Sequence, residues 1–233
     1  SPHHEAAAGF MAEAASRMTG KPALCFGTLG PGLANMMPAI QCCKVENSPV
    51  IFLGGQRARV TERRVRRGRM IEDSVKYSGA IEYADQTDEV IREAIRIAMS
   101  GTPGPTYVEY PSNVILEELD VPEVLPPHRY RLTNQGADGD RLAEAAELIK
   151  GAKNPILLVG HAVHTTRSGE AVKELALKMN CPVIQTSGGT SYIKGLEDRT
   201  FQYVFSDASI EAVEACDVVV ALGTELGEPV HFG

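Results

Sequence analysis

A glutamate at the start of an alanine-rich segment is the residue best placed to do chemistry. Glu5 begins the run 5–18, whose composition predicts a helix. A carboxyl group among Ala6, Ala7, Ala8 and Phe10 is expected to favour its protonated form and to act as a general acid. The alternative is an ordinary first-turn glutamate that interacts with the helix dipole. The pattern alone favours this alternative.

A turn rich in glycine and proline follows the first predicted strand, 23–27. It consists of Thr28, Leu29, Gly30, Pro31 and Gly32, and Asn35 lies three residues beyond it. Glycine allows the backbone to approach a flat ring closely, so the turn is a candidate seat for an aromatic ligand. A plain strand-to-helix turn is the alternative.

Helical and strand-like segments alternate along the chain, which predicts an α/β fold with parallel sheets. The second group of segments has the pattern of a Rossmann-like unit. The predicted helices are 5–18, 33–45, 87–99, 140–150, 168–179 and 210–215, and the predicted strands are 23–27, 49–53, 80–83, 106–110, 155–160, 182–185 and 217–222.

Prolines cluster and periodicity fades after the first group of segments. We interpret 120–138 as an extended linker between a domain at 1–119 and a domain at 139–233.

Composition narrows the classes of function. The 233 residues carry a net charge of −7, which argues against a general nucleic-acid binder. No apolar run approaches the roughly 20 residues of a membrane span, and the start of the chain does not resemble a signal peptide. The five cysteines form no C-x-x-C pair and are expected to be reduced thiols, which predicts a cytoplasmic location.

Three segments in order resemble a known superfamily. They are His4-Glu5 with its alanine-rich helix and Thr19-Gly20-Lys21-Pro22, then the turn at 28–32 with Asn35, and then 101–105 followed by Tyr107-Val108-Glu109-Tyr110-Pro111. The set is similar to the acetolactate synthase, oxalyl-CoA decarboxylase and 2-hydroxyacyl-CoA lyase superfamily of thiamine-diphosphate-dependent enzymes. The resemblance extends from His4 to about Gly223.

The resemblance implies a fragment of a three-domain subunit. The chain would contain an incomplete pyrimidine-binding domain and most of a Rossmann-like central domain, and Mg²⁺ and the diphosphate would bind to a missing third domain. Glu5 would be catalytic, because a carboxyl that donates to the pyrimidine N1′ favours the tautomer whose exocyclic nitrogen takes the thiazolium C2 proton. His4, Thr28, Gly30, Pro31, Gly32 and Asn35 would contact the cofactor.

Small and polar residues follow three predicted strands of the second domain, where a Rossmann-like sheet binds nucleotides. They are Gly160, His161, Thr186, Ser187, Gly188 and Gly223. In the relatives this region holds FAD, or ADP or the CoA nucleotide, and these are the cofactors expected here. No Gly-x-Gly-x-x-Gly fingerprint follows a strand, so an NAD-dependent dehydrogenase is disfavoured.

An arginine-rich run interrupts this acidic chain. Its side chains form either a clamp for an anionic substrate such as a CoA phosphate or a solvated or interface-forming loop. The run contains Arg57, Arg59, Arg63, Arg64, Arg66, Arg67 and Arg69.

The leading hypothesis is acetolactate-synthase-like formation or cleavage of carbon–carbon bonds in 2-oxo acids. A 2-hydroxyacyl-CoA or oxalyl-CoA lyase acting on acyl-CoA is the alternative within the class. A catalytically silent nucleotide-binding or assembly module is the alternative of another class. The resemblance also implies a homodimer or homotetramer, with no nucleic-acid or membrane partner.

Overall fold

The chain forms two α/β units with parallel sheets, as the sequence predicts, and each sheet has four strands among the described residues. The computed structural model describes residues 2–28, 30–58, 70–120, 123–133, 136–189, 193–203 and 206–227. The units are Ser1–Gln135 and Gly136–Gly233, and their boundary falls within the predicted linker, 120–138. None of the helices described is both long and apolar enough to cross a bilayer.

The sheet of the first unit has the strand order β1-β2-β4-β3. Every neighbouring pair of strands is parallel, so all four carboxyl ends lie at one edge. The elements of this unit are α1 (Glu5–Thr19), β1 (Ala23–Gly27), α2 (Pro31–Val45), β2 (Val50–Gln56), β3 (Ser78–Ala80), α3 (Thr87–Met99) and β4 (Thr106–Pro111).

Several boundaries differ from the predicted ones: strand β3, for example, spans Ser78–Ala80 rather than 80–83. Two of the differences have a clear physical reason. Helix α2 begins at Pro31 rather than Leu33, because the fixed φ of proline suits the first position of a helix. Strand β2 does not end before Gly54 but continues to Gln56. The ring of Tyr107 occupies the space where a side chain at position 54 would lie, so the glycine is required inside the strand rather than after it.

Helices α1 and α2 pack together on one face of this sheet. They approach each other closely at Gly9, where an added Cβ would overlap the side chain of Ala39 and would lie 3.3 Å from the Phe52 ring. Helix α3 covers the opposite face, where Ala94 packs in a cluster with Ile51. The glycine therefore sets the distance between the two helices on the first face.

The sheet of the second unit has the strand order β7-β6-β5-β8, again entirely parallel. In chain order this is 3-2-1-4, the start of the doubly wound arrangement, with its switch point between β5 and β8. The elements are α4 (Gly139–Gly151), β5 (Pro155–Val159), α5 (His161–Thr165), α6 (Gly169–Met179), β6 (Val183–Gln185), β7 (Thr200–Gln202), α7 (Asp207–Ala215) and β8 (Val218–Leu222).

Replacing Gly9 by alanine is expected to destabilise the first unit by about 1–3 kcal/mol, because the new methyl group overpacks the α1–α2 contact. Chemical denaturation followed by circular dichroism measures this. Gly169→Ala is the control, since a Cβ there meets nothing within 4 Å, and it should be neutral or stabilising by up to about 1 kcal/mol. Equal stabilities of the two variants would contradict the close contact.

Asp217 joins the start of β8 to the turn before β5. Its carboxylate accepts hydrogen bonds from the backbone N–H groups of Lys153 and Asn154 at 2.7 and 2.9 Å. These bonds, that of Lys153 first, lower the pKa of Asp217 below its ordinary value. The ionised form is therefore the one that stabilises the fold.

The variant Asp217→Ala is expected to unfold at a lower temperature than the parent at pH 7. A lowered pKa gives stability that is present above the unfolded value of 3.8 and is lost as the pH falls through the folded value. The difference between the two proteins should therefore shrink at low pH. Thermal unfolding across pH measures it, with the exposed Glu214→Ala as control, and a pH-independent difference would refute the electrostatic explanation.

Candidate functional site

Glu5 and the glycine-rich turn meet at the carboxyl edge of the first sheet. Helix α1 begins at this edge, and α2 begins immediately after β1 ends there. A Cβ added to Gly32 would lie 3.5 Å from Glu5 Oε1, from the carbonyl carbon of Gly27 and from Thr28 Cγ2. The missing side chain of Gly32 thus leaves a methyl-sized space beside one carboxyl oxygen of Glu5. We call this space the Gly32 cradle.

The second carboxyl oxygen of Glu5 is held by Asn35. The side-chain Nδ2 of Asn35 donates a hydrogen bond to Glu5 Oε2 at 3.0 Å. This bond is the main cause that lowers the pKa of Glu5, followed by a hydrogen bond from the backbone of Glu5 itself and a smaller contribution from His4. Asn35, predicted as a cofactor contact, therefore contacts the glutamate.

The prediction that apolar surroundings favour protonated Glu5 is wrong for this structure. Ala7 and Phe10 are exposed, so they do not enclose the carboxyl group. Desolvation raises the pKa of Glu5, but its effect is smaller than that of the two hydrogen bonds that lower it. The carboxylate is accordingly the favoured form in the free protein.

The backbone of the turn explains its glycines. Gly30 has φ +78° and ψ −112°, a conformation open to glycine and unfavourable for residues with a Cβ. Pro31 then starts α2, and Gly32 is buried in its first turn. Thr28 and Pro31 are exposed around the cradle. The absence of a Cβ at Gly32 leaves Oε1 of Glu5 uncovered on the side of the turn.

His4 has a structural role that the sequence did not reveal. It is the N-cap of α1, and its Nδ1 accepts a hydrogen bond from the backbone N–H of Ala6 at 3.1 Å. His4 is exposed, so its predicted cofactor contact stays a prediction.

Sulfur-containing side chains line the base of this region. A Cβ on Gly27 would lie 2.6 Å from Met36 Cε, and the Cys25 thiol contacts Met36 Sδ at 3.6 Å. Burial, with a contribution from the negative charge of Glu5, raises the pKa of Cys25 to about 11. Cys25 is therefore a neutral thiol that packs beneath the site.

A buried polar pair lies along the same edge and was not predicted. The side-chain amide of Gln56 donates a hydrogen bond to the carboxyl group of Glu109, and both residues are buried. Glu109 pairs with Gly54, which pairs with Gly27. The signal in the sequence is a single charged residue inside the apolar strand β4, since such a group needs a partner when buried.

In the second unit, the predicted nucleotide contacts gather at the carboxyl edge of the sheet. A Cβ on Gly160 would overlap the carbonyl oxygen of Gly223, and one on Gly189 would overlap that of Val159. Packing of the chain on itself thus explains Gly160 without a ligand. Gly223 has φ +62°, and a Cβ there would lie 2.9 Å from that of Ala162.

The other predicted residues of this edge surround the same packed loops. A Cβ on Gly188 would lie 3.6 Å from the Cβ of His161. The Thr186 hydroxyl accepts a hydrogen bond from the backbone N–H of Gly189 at 3.2 Å, whereas Ser187 is exposed. Binding of a nucleotide here stays a prediction.

The arginine-rich run mostly falls on residues that the structure does not describe. Arg57 is exposed. Arg59, Arg63, Arg64, Arg66, Arg67 and Arg69 lie outside the described residues. In the described part, no group of three or more His, Cys, Asp or Glu side chains could hold a metal ion.

Both units are similar to domains of the same enzyme family. Residues 1–79 match the thiamine pyrophosphate enzyme N-terminal TPP binding domain. Residues 142–233 match the thiamine pyrophosphate enzyme central domain.

Individual relatives give the same result. The acetolactate synthase of Bacillus subtilis is 29% identical over 98% of this chain and 41% of its own length. Human 2-hydroxyacyl-CoA lyase 1 is 26% identical over 99% of this chain and 40% of its own length. A solved structure described as that of a thiamin diphosphate-dependent enzyme from Mycobacterium smegmatis aligns with a TM-score of 0.77 and 26% identity, over 96% of this chain and 44% of that one. The chain spans less than half the length of these relatives.

Replacing Gly32 by alanine is expected to leave the fold intact while filling the cradle. The new methyl group makes only ordinary contacts at 3.5 Å, and alanine is favoured over glycine in a helix by up to about 1 kcal/mol. Gly30→Ala is the matched comparison, because a residue with a Cβ in the backbone conformation of Gly30 is expected to destabilise the fold by about 1–3 kcal/mol. Thermal unfolding checks both, and a Gly32→Ala protein less stable than Gly30→Ala would contradict room for a methyl group at Gly32.

Proposed function

This chain belongs to the thiamine pyrophosphate enzyme family, and from that premise we propose that its first unit holds the pyrimidine ring of thiamine diphosphate against Glu5. The observation that carries the proposal is the position of Glu5 Oε1 beside the Gly32 cradle, 3.5 Å from the site of the missing Cβ. The match to the N-terminal TPP binding domain includes both residues.

The proposed roles follow from what each group is able to do. Thiamine diphosphate, when bound, supplies the carbon nucleophile for chemistry beside a carbonyl group. Glu5 holds a proton on Oε1 towards ring atom N1′, as a general acid positioned by α1. The Gly32 cradle and the glycine turn admit the ring, and Asn35 restrains the other carboxyl oxygen.

We propose that the whole protein makes or breaks carbon–carbon bonds in 2-oxo acids, in the manner of an acetolactate synthase. The similarity to the Bacillus subtilis acetolactate synthase along 98% of this chain supports this reaction class. The second candidate is a 2-hydroxyacyl-CoA lyase, because the human and Arabidopsis thaliana lyases each align with 99% of the chain.

The two reactions are separated by assays of the full-length protein. Acetolactate formed from pyruvate would support the first candidate, and acyl-CoA cleavage that releases formyl-CoA would support the second. Both assays contain thiamine diphosphate and Mg²⁺, whose binding to a further domain of the protein is part of the proposal. Neither product in either assay would remove both candidates.

We also propose a nucleotide site in the second unit and an oligomeric assembly. FAD, ADP or the CoA nucleotide would bind at the carboxyl edge of the second sheet, near the switch point between β5 and β8. Calorimetric titration of the full-length protein with each nucleotide tests this. A homodimer or homotetramer is tested by sedimentation.

Glu5→Gln is expected to reduce turnover of the full-length protein by roughly a hundredfold to ten-thousandfold, the usual contribution of a general acid. The amide keeps the size of the side chain but cannot pass on the proton. Steady-state kinetics at saturating thiamine diphosphate measures the loss. The control is Glu118→Gln, which alters an exposed carboxylate of the same unit and should retain full activity. Turnover of Glu5→Gln equal to that of Glu118→Gln would refute the catalytic assignment.

A further inference from the structure

We propose that Asn35 is a positioning residue, which pins Oε2 of Glu5 and leaves Oε1 as the oxygen that takes up a proton when a pyrimidine ring binds. The inference rests on the proposed function of Glu5. It assigns to Asn35 an action on the glutamate rather than a direct contact with the cofactor. Geometry, hydrogen-bonding capacity and charge each support it.

The geometry comes from the register of two helices. Gly9 contacts Ala39 where α1 packs closely against α2. Glu5 and Asn35 each precede these contact residues by four positions, which is one helical turn along the same face. The Glu5–Asn35 pair therefore lies one turn from this close contact, on the same helix faces. Two backbones, rather than a flexible loop, hold this hydrogen bond.

Hydrogen-bonding capacity distinguishes the two oxygens of Glu5. The side-chain NH₂ of Asn35 can only donate, so Oε2 must be an acceptor and cannot carry a proton towards it. Oε1 faces the Gly32 cradle instead. A proton added from solvent therefore forms its O–H bond on Oε1, where it points to a ring in the cradle.

The charge state of Glu5 in the free protein determines whether binding of the cofactor is accompanied by proton uptake. The hydrogen bond from Asn35 is the largest cause that lowers the pKa of Glu5 in the free protein. A ring nitrogen that accepts a hydrogen bond requires a protonated carboxyl group as its partner. Binding of thiamine diphosphate should therefore draw about one proton from solvent onto Glu5 at any pH between the free and bound pKa values.

Proton uptake upon cofactor binding is the principal test. Calorimetric titrations of the full-length protein with thiamine diphosphate and Mg²⁺, in buffers of different ionisation enthalpy, give the protons taken up at each pH. The uptake rises with pH through the pKa of free Glu5. The rise should move to higher pH in Asn35→Ala, and Glu5→Gln should lack it.

Titration of free Glu5 is the second test and does not require the cofactor. With carboxyl-¹³C glutamate, the Glu5 resonance is identified as the one absent from Glu5→Gln. Its pKa should be lowest in the parent, higher in Asn35→Ala and highest in Asn35→Asp, because the aspartate adds a like charge. The two groups of Asn35→Asp titrate as a pair, so the upper macroscopic value is compared.

The control removes a different amide from the same helix. Gln41 donates to the Ser74 hydroxyl at 2.5 Å and does not contact Glu5. Gln41→Ala should leave both the proton-uptake curve and the Glu5 titration unchanged. A purely structural role of Asn35 predicts loss of thermal stability without the ordered shifts in pKa.

The outcomes separate this inference from the function on which it rests. A parent protein that does not bind thiamine diphosphate removes the proposed function. A parent that binds with proton uptake, but whose uptake curve is the same in Asn35→Ala, overturns the role of Asn35 alone. If proton uptake persists in Glu5→Gln, the proton binds to a group other than Glu5, and the inference is also overturned. If Asn35→Ala no longer binds the cofactor, an unshifted Glu5 titration in the free variant overturns it.

Discussion

The approach of two helices determines the candidate site. Because Gly9 has no side chain, α1 can approach α2 closely. The methyl group of Ala39 occupies the space where a Cβ of residue 9 would lie. One turn closer to the carboxyl edge, the same faces bring a carboxylate and an amide to 3.0 Å. A larger residue at the lower contact would separate the upper pair as well, since packed interiors transmit strain. The polar contact therefore depends on an apolar one.

Much of this fold could be predicted from the sequence because its elements are long and regular. Helix α3 occupies the predicted residues Thr87–Met99, and β1 occupies Ala23–Gly27. Helix α5 and strand β7 were not predicted, because elements of five and three residues contain too little periodicity. The extension of β2 through Gly54 was missed for another reason. Only the ring of a distant tyrosine explains a glycine in that strand.

The candidate site was predictable in its residue types but not in its contacts. Glu5 and the turn at 28–32 were identified from their order and from a family resemblance. That Asn35 bonds to Glu5 depends on the register of α1 against α2, which no local pattern contains. The charge state was predicted wrongly because the exposure of Ala7 and Phe10 is a property of the tertiary structure. The role of Gly160 in the second unit could not be predicted for the same reason. A Cβ there would overlap the backbone of a neighbouring loop, which only the tertiary structure reveals.

The free protein holds Glu5 in the charge state opposite to the one its proposed chemistry requires. Apolar enclosure would raise the pKa permanently, but it would also close the space that a ring must enter. The observed arrangement keeps the carboxylate hydrogen-bonded and partly exposed, and it leaves one oxygen facing the Gly32 cradle. Under the proposed function, the ligand supplies both the desolvation and the acceptor that make protonation favourable. Above the pKa of free Glu5, the proton would then be carried only in the complex, so proton uptake would be coupled to occupancy of the site.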